Sequence, residues 1–146
     1  MTDASTPHMR LAPLLVRAFR WFEAGIAADP ETRHLPRLSG SQFMAMVLLD
    51  PDGTGISELA RRIGVSRQAM HQMVGELESA ALIETVPSPR DGRVKLVKLS
   101  LLGRTLEQKA GKALGQLEND LEGRIGADEM AALRRALTAD WGPAAG

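Results

Sequence analysis

The stretch ISELARRIGVSRQAMHQMVGELESAALIETV, residues 56–86, decides the fold. Leu59, Ala60 and Ile63 share one side of a short helical segment that Gly64 ends. Val65-Ser66 restarts the chain: Ser66 carries the side-chain oxygen of a helix N-cap, and Val65 can staple against Met70. Met70, Met73, Val74, Leu77 and Ala81 then recur at helical spacing as a buried stripe. A short helix, a turn at Gly64-Val65 and a longer capped helix make a helix-turn-helix. Arg67, Gln68, His71, Gln72 and Gly75 fall largely away from the stripe and form an outer face slender enough for a DNA major groove. The amides of Gln68 and Gln72 can pair with an adenine edge, Arg67 can reach guanine or phosphate, and His71 can donate or accept. Ser57 and Ser66, beside the open amides of two helix starts, suit phosphate contacts. Gly75 costs roughly 1 kcal/mol relative to alanine inside a helix, which points to close approach of another backbone.

The chain then reads as a hairpin. Leu82 to Val86 and Val94 to Leu99 are strands, and Pro87 to Gly92 is a polar tip with the turn-forming pair Asp91-Gly92. Adjacent Leu96 and Val97 break the alternation of the second strand, as at a bulge or an edge position. Arg90, Arg93 and Lys95 ride on this hairpin, with Lys98 further along, and arginines on a narrow projecting loop can enter a minor groove. Asp91 would repel phosphate if unpaired, so it is expected to pair with Arg61, Arg62 or Arg93. Arg61 and Arg62 are alternatively phosphate ligands.

Helices flank this unit. Leu14, Leu15, Ala18 and Phe22 mark a first helix, opening at Thr6-Pro7 or at Pro13 and ending near Gly25 to Pro30. Ser39 and Gln42 form a capping box, with Leu38 and Phe43 as its staple, for a second helix through Met46, Val47 and Leu49 to Asp50. Ser100 can cap a fifth helix bearing Leu102, Leu106, Ala110, Ala113, Leu117 and Leu121. Gly126 breaks it, and Asp128 and Glu129 suit the first turn of a sixth, with Met130, Leu133 and Leu137 on one face. The expected fold is mainly α with a small β-hairpin wing: a winged helix-turn-helix with N- and C-terminal helices left over. A winged domain is complete by about Leu99, so the alanine- and leucine-rich helix beyond it is best explained by a partner subunit.

Composition narrows the function. The 146 residues suffice for one domain, with 18 basic and 18 acidic side chains. Distribution matters more than this zero sum. From Glu58 to Arg104 there are 8 basic and 5 acidic residues; from Thr105 onward there are 5 basic and 7 acidic. The absence of cysteine excludes disulfides, thiolate metal sites and thiol sensors. Three scattered histidines argue against a metal, and no cofactor is expected. No glycine-rich phosphate loop, nucleophile elbow or metal-ligand spacing marks an enzyme. No apolar run approaches a membrane span and MTDASTPHMR lacks a signal-peptide core, so a cytoplasmic, non-membrane protein is expected.

The order of elements resembles the MarR family of transcriptional regulators along almost the whole chain. The resemblance rests on LSGSQFMAMVLL, on ISELARRIGVSRQAMHQMVGELE and, most specifically, on RDGRVKLVKLSLLGR, where Asp91, Arg93, Leu99, Ser100 and Gly103 match the wing signature. It implies one domain over residues 1–146, with a DNA-binding lobe over 56–100 and dimerisation helices over 6–30 and 101–140. Ser66 to Ala80 would be the recognition helix, Arg93 the minor-groove arginine and Asp91 its support. It further implies a homodimer on a pseudopalindromic duplex DNA operator, usually repressing, and release by a small aromatic or phenolic effector bound between the first, second and fifth helices. His8, Arg10, Trp21 and His34 are candidates to line that pocket. Two positions depart from the pattern. Ala81 stands where a glycine favours a left-handed backbone, and Thr85 where a basic residue is common. The rival reading is a winged helix that binds only protein, without specific DNA affinity.

Overall fold

Three serines set three helix starts by the same local chemistry. In a computed structural model, described over residues 9–143, Ser39, Ser66 and Ser100 each accept a hydrogen bond from the backbone N–H three residues on. They open helices α2 (Gly40–Val47), α4 (Arg67–Ser79) and α5 (Leu101–Ile125). At Ser39 the box is reciprocal, because Gln42 Oε1 also accepts the Ser39 N–H at 3.0 Å. The other helices are α1 (Leu11–Ala28), α3 (Ile56–Ile63) and α6 (Ala127–Thr138). Pro13 falls in the first turn of α1, where no intrahelical N–H bond is lost. The alternative start at Thr6-Pro7 lies outside the described residues.

Helix α2 stops at Val47, short of the expected Asp50. The Asp50 backbone N–H donates instead to Thr54 Oγ1 at 2.8 Å, and its carboxylate receives Arg62. That turn leads into an unexpected strand, β1 (Thr54–Gly55), beside β2 (Ile83–Pro87) and β3 (Lys95–Leu99). The sheet order is β1-β3-β2, antiparallel throughout, with Thr54 opposite Val97 and Glu84 opposite Lys98. β3 is therefore central, neither an edge nor bulged, since its pairing with β2 is continuous from Ile83–Leu99 to Pro87–Lys95. Adjacent apolar residues Leu96 and Val97 fit a strand with a neighbour on each side.

The core joins α3, α4 and the sheet. Leu59, Met70, Leu77, Leu82 and Val97 are fully buried, each contributing about 1.5–3 kcal/mol of transfer free energy. Gly64 caps α3 in the left-handed region at φ 81°, which turns the chain into α4. Outside this core the helices are thinly covered. No residue of α1 is buried, and Leu11, Leu14 and Val16 are exposed. In α6 only Met130 is buried, while Leu133 and Leu137 are exposed. No helix of the described residues is long and apolar enough to cross a membrane.

The wing joins α5 through one close contact. The Leu82 carbonyl accepts the Ser100 N–H at 3.0 Å, and the Ser100 hydroxyl donates to the Ala81 carbonyl at 2.6 Å. A Cβ at position 103 would lie 1.9 Å from the Leu82 oxygen, so only glycine fits there. Ala81 adopts φ 60°, the left-handed conformation anticipated where glycine is missing. Gly75, by contrast, faces open space, so close approach of another backbone does not account for it within the subunit.

Three substitutions should separate these cases in thermal unfolding. Gly103→Ala should cost about 3 kcal/mol by overpacking against backbone. Gly75→Ala should gain roughly 0.5–1 kcal/mol, because the helix loses a flexible residue. Ala81→Gly should gain about 0.5–1 kcal/mol, the relief of left-handed strain exceeding glycine's entropy cost. A destabilised Gly75→Ala, or a neutral Gly103→Ala, contradicts the packing described.

Candidate nucleic-acid interface

The outer face of α4 follows from its inner one. With Met70, Val74 and Leu77 buried, the 3.6-residue period leaves Arg67, Gln68, His71 and Gln72 exposed in two successive turns. Ser66 Oγ accepts the Ala69 N–H at 3.0 Å, which leaves the hydroxyl proton available to an outside acceptor. Ser57 is exposed in the first turn of α3.

The wing tip is braced by its own short-range bonds. Ser88 N–H donates to the Val94 carbonyl at 2.8 Å and Val94 N–H to the Asp91 carbonyl at 2.9 Å. Asp91 Oδ1 accepts the Arg93 N–H at 3.1 Å and stands 3.9 Å from Arg93 Nε. Of the three partners considered for Asp91, the structure brings up Arg93. The Arg93 side chain is 96% exposed, and Arg90 and Lys95 also face solvent. Lys98 is committed instead to Glu84, its cross-strand partner, at 3.6 Å.

Arg61 and Arg62 are engaged elsewhere. Arg62 donates to both Asp50 carboxylate oxygens at 3.1 and 3.0 Å, to the Leu48 carbonyl at 2.9 Å and to Glu58 at 3.0 Å. Such a fork matches guanidinium geometry and ties the end of α3 to the C-terminal turn of α2. Neither the expected bridge to Asp91 nor an unpaired phosphate ligand describes Arg62; it is a clamp. Arg61, on the same helix, pairs with Glu58 at 2.6 Å but keeps its side chain 72% exposed. Hydrogen bonds from Arg61 and then Arg62 hold the Glu58 carboxyl down at about 2, and Arg62 likewise lowers that of Asp50. Sequence reasoning missed Asp50 and Glu58 as partners, although Glu58 with Arg61 and Arg62 has helix-pair spacing.

A cavity of about 460 Å³ opens beside α1, α2 and α5. Phe19, Phe22 and Phe43 supply aromatic walls, and Arg20, Arg33 and Arg37 outnumber the one acidic residue, Glu23. The expected lining residues are not there. Trp21 packs edge-on against Phe22 with ring centroids 5.0 Å apart and takes no part in the lining. His34 is exposed beside Arg33, Arg10 sits at the N-cap of α1, and His8 lies outside the described residues. No cluster of three or more His, Cys, Asp or Glu able to hold a metal occurs among the described residues.

Comparison with known proteins agrees with this architecture. Residues 38–94 match the sequence model of the MarR family. The chain superposes on CouR, a transcriptional repressor bound to a 23-mer DNA duplex, with a TM-score of 0.69 and 25% identity, covering 94% of this chain and 96% of that one. It is similar to the PcaV transcriptional regulator of Streptomyces coelicolor, in complex with its natural ligand (TM-score 0.66, 23% identity, 95% and 97% covered). It is also similar to a mutant MarR of E. coli complexed with operator DNA (TM-score 0.67, 23% identity, 93% and 95% covered). No curated protein matches it by sequence.

The arginine clamp has a pH signature. A depressed carboxyl stabilises the fold fully above its ordinary pKa, 4.5 for Glu58, and that stability is lost as pH falls through about 2. Asp50 acts in the same direction. Denaturant midpoints measured from roughly pH 5 down to roughly pH 2.5 should fall, and fall less steeply in Glu58→Gln. Both groups are exposed, so the difference should shrink in high salt. Equal slopes for the two proteins contradict the clamp.

Proposed function

We propose that this chain, which belongs to the MarR family by its helix-turn-helix and wing, is a DNA-binding transcriptional regulator working as a cytoplasmic homodimer on a pseudopalindromic operator. The observation that carries the reading is a group of solvent-facing cations at the start of α4 and on the wing: Arg67, Arg90 and Lys95 form no ion pair among the described residues, and Arg93 only a long one with Asp91. In that arrangement the Ser66 helix reads bases in a major groove through Gln68, His71 or Gln72. Ser57 and Arg61 contact phosphate, and the Arg90–Arg93 tip enters the adjacent minor groove. Two-fold symmetry puts a second copy of each element about one helical turn away.

Dimerisation is supported by the uncovered apolar residues of α1 and α6, which lie at the two ends of the chain and outside the core. Repression is proposed as the sign of regulation, in line with CouR. The cavity suits a small aromatic acid: phenylalanine walls take the ring, and Arg20, Arg33 or Arg37 takes the carboxylate. Such a ligand releases DNA only if it binds the free dimer more tightly than the DNA-bound one.

Arg93→Ala should weaken operator binding for every sequence alike and reduce the slope of log affinity against log salt by about 1, measured by fluorescence anisotropy. Unchanged affinity and slope contradict the wing assignment. Sedimentation at micromolar concentration should show a dimer, and a stable monomer rules out the two-fold reading. Calorimetry with benzoate-type acids, with and without operator, should find weaker binding to the complex; equal affinities remove the effector mechanism.

A further inference from the structure

Polar atoms as well as the apolar core connect α4 to α2. The Glu76 carboxylate, one turn beyond Gln72, accepts two hydrogen bonds. Its Oε1 takes Gln72 Nε2 at 3.3 Å, and its Oε2 takes Gln42 Nε2 at 2.9 Å. Gln42 is at the same time the capping-box residue of α2, joined to Ser39 by bonds of 3.0 and 3.1 Å. Its amide oxygen and nitrogen are thus both engaged, each by a different helix.

We propose that Glu76 is a positioning residue for Gln72 and that Gln42 holds Glu76 in place, so the base preference of Gln72 depends on a residue outside the helix-turn-helix. This rests on the DNA-binding reading above. An unrestrained glutamine amide rotates and offers a donor or an acceptor to a base edge with little bias. A carboxylate only accepts, so Glu76 fixes the nitrogen end of the Gln72 amide and turns its oxygen away. An outward oxygen selects an exocyclic amino group, that of adenine or cytosine. An exposed glutamate would itself swing between rotamers. The Gln42 donor, anchored by the capping box, removes that freedom.

The test compares operator variants carrying every base at each half-site position, bound by full-length wild type and three variants. Gln72→Ala identifies the position that Gln72 reads. Gln42→Glu keeps the capping box, because a glutamate also accepts the Ser39 N–H, but it sets two carboxylates against each other. Adding Glu76→Gln to Gln42→Glu restores a donor facing an acceptor at wild-type net charge.

Wild type should prefer its base at that position by roughly tenfold, and Gln72→Ala should level the preference. Gln42→Glu should lose most of it at that position alone, with a near wild-type unfolding midpoint, and the double variant should regain it. Three outcomes overturn the proposal while leaving DNA recognition standing. One is full preference in Gln42→Glu. Another is a uniform loss of affinity there with preferences intact, the signature of added charge alone. The third is a Gln72→Ala protein whose base preferences are all unchanged. Absence of any sequence-specific binding by wild type would instead sink the DNA-binding reading, and this proposal with it.

Discussion

The architecture turns on the approach of the Leu82 carbonyl to the first turn of α5. Three parts of the molecule meet at that oxygen. Behind it, Ala81 leaves α4 through a left-handed residue; ahead of it, β2 begins at Ile83; across from it, Ser100 and Gly103 open α5. The direction of the wing relative to α4 is therefore set at the same point as the direction of the long helix α5. A methyl group at Gly103 would push these apart, and the wing arginines would move relative to the α4 face. In the proposed DNA-binding role the spacing of α4 and the wing would matter at the level of ångströms, and a backbone contact without slack is an effective way to hold it.

A second constraint is the sorting of charge. The chain balances 18 basic against 18 acidic residues, yet its ion pairs are unevenly placed. Arg62 is fixed by Asp50 and Glu58, Lys98 by Glu84, and Arg134 by Glu118. Exposed pairs of this kind contribute about 0–1 kcal/mol each, so their value lies more in geometry than in stability. Arg62 orients α3 on α2, and the Glu84–Lys98 pair ties the two wing strands. Arg67, Arg90 and Lys95 remain without an ion pair among the described residues, clustered at the start of α4 and on the wing, while the exposed Glu76 and Glu78 stand further along α4. A chain of zero net charge can therefore still carry a local group of unpaired cations.

Much of this was legible in sequence because it is local. Ser39-Gln42, Ser66 and Ser100 announce helix starts by the spacing of side-chain acceptor and backbone donor, a relation confined to four residues. The left-handed backbone at Ala81 was legible only through the family resemblance, whose pattern has glycine there. Long-range features were not legible. β1 is two residues long and exists only because β3 pairs with it from more than forty residues away. Leu96-Val97 looked irregular for want of that partner. Arg62 lies twelve positions after Asp50, and nothing in the spacing distinguishes a clamp from a phosphate ligand. The cavity lining depends on how the segment after α1 folds back, so Arg33 and Arg37 line it while His34 does not. Gln42 was legible as a cap; its second bond, to Glu76, was not.

In the proposed function, α4 and the wing together recognise duplex DNA in a two-fold arrangement. Selection of bound duplexes from a random library with the full-length protein tests it most directly. The expected result is enrichment of an inverted repeat, its half-sites centred about one helical turn apart, with binding that weakens steeply as salt rises. Recovery of no common sequence, together with salt-independent or undetectable binding, would contradict it.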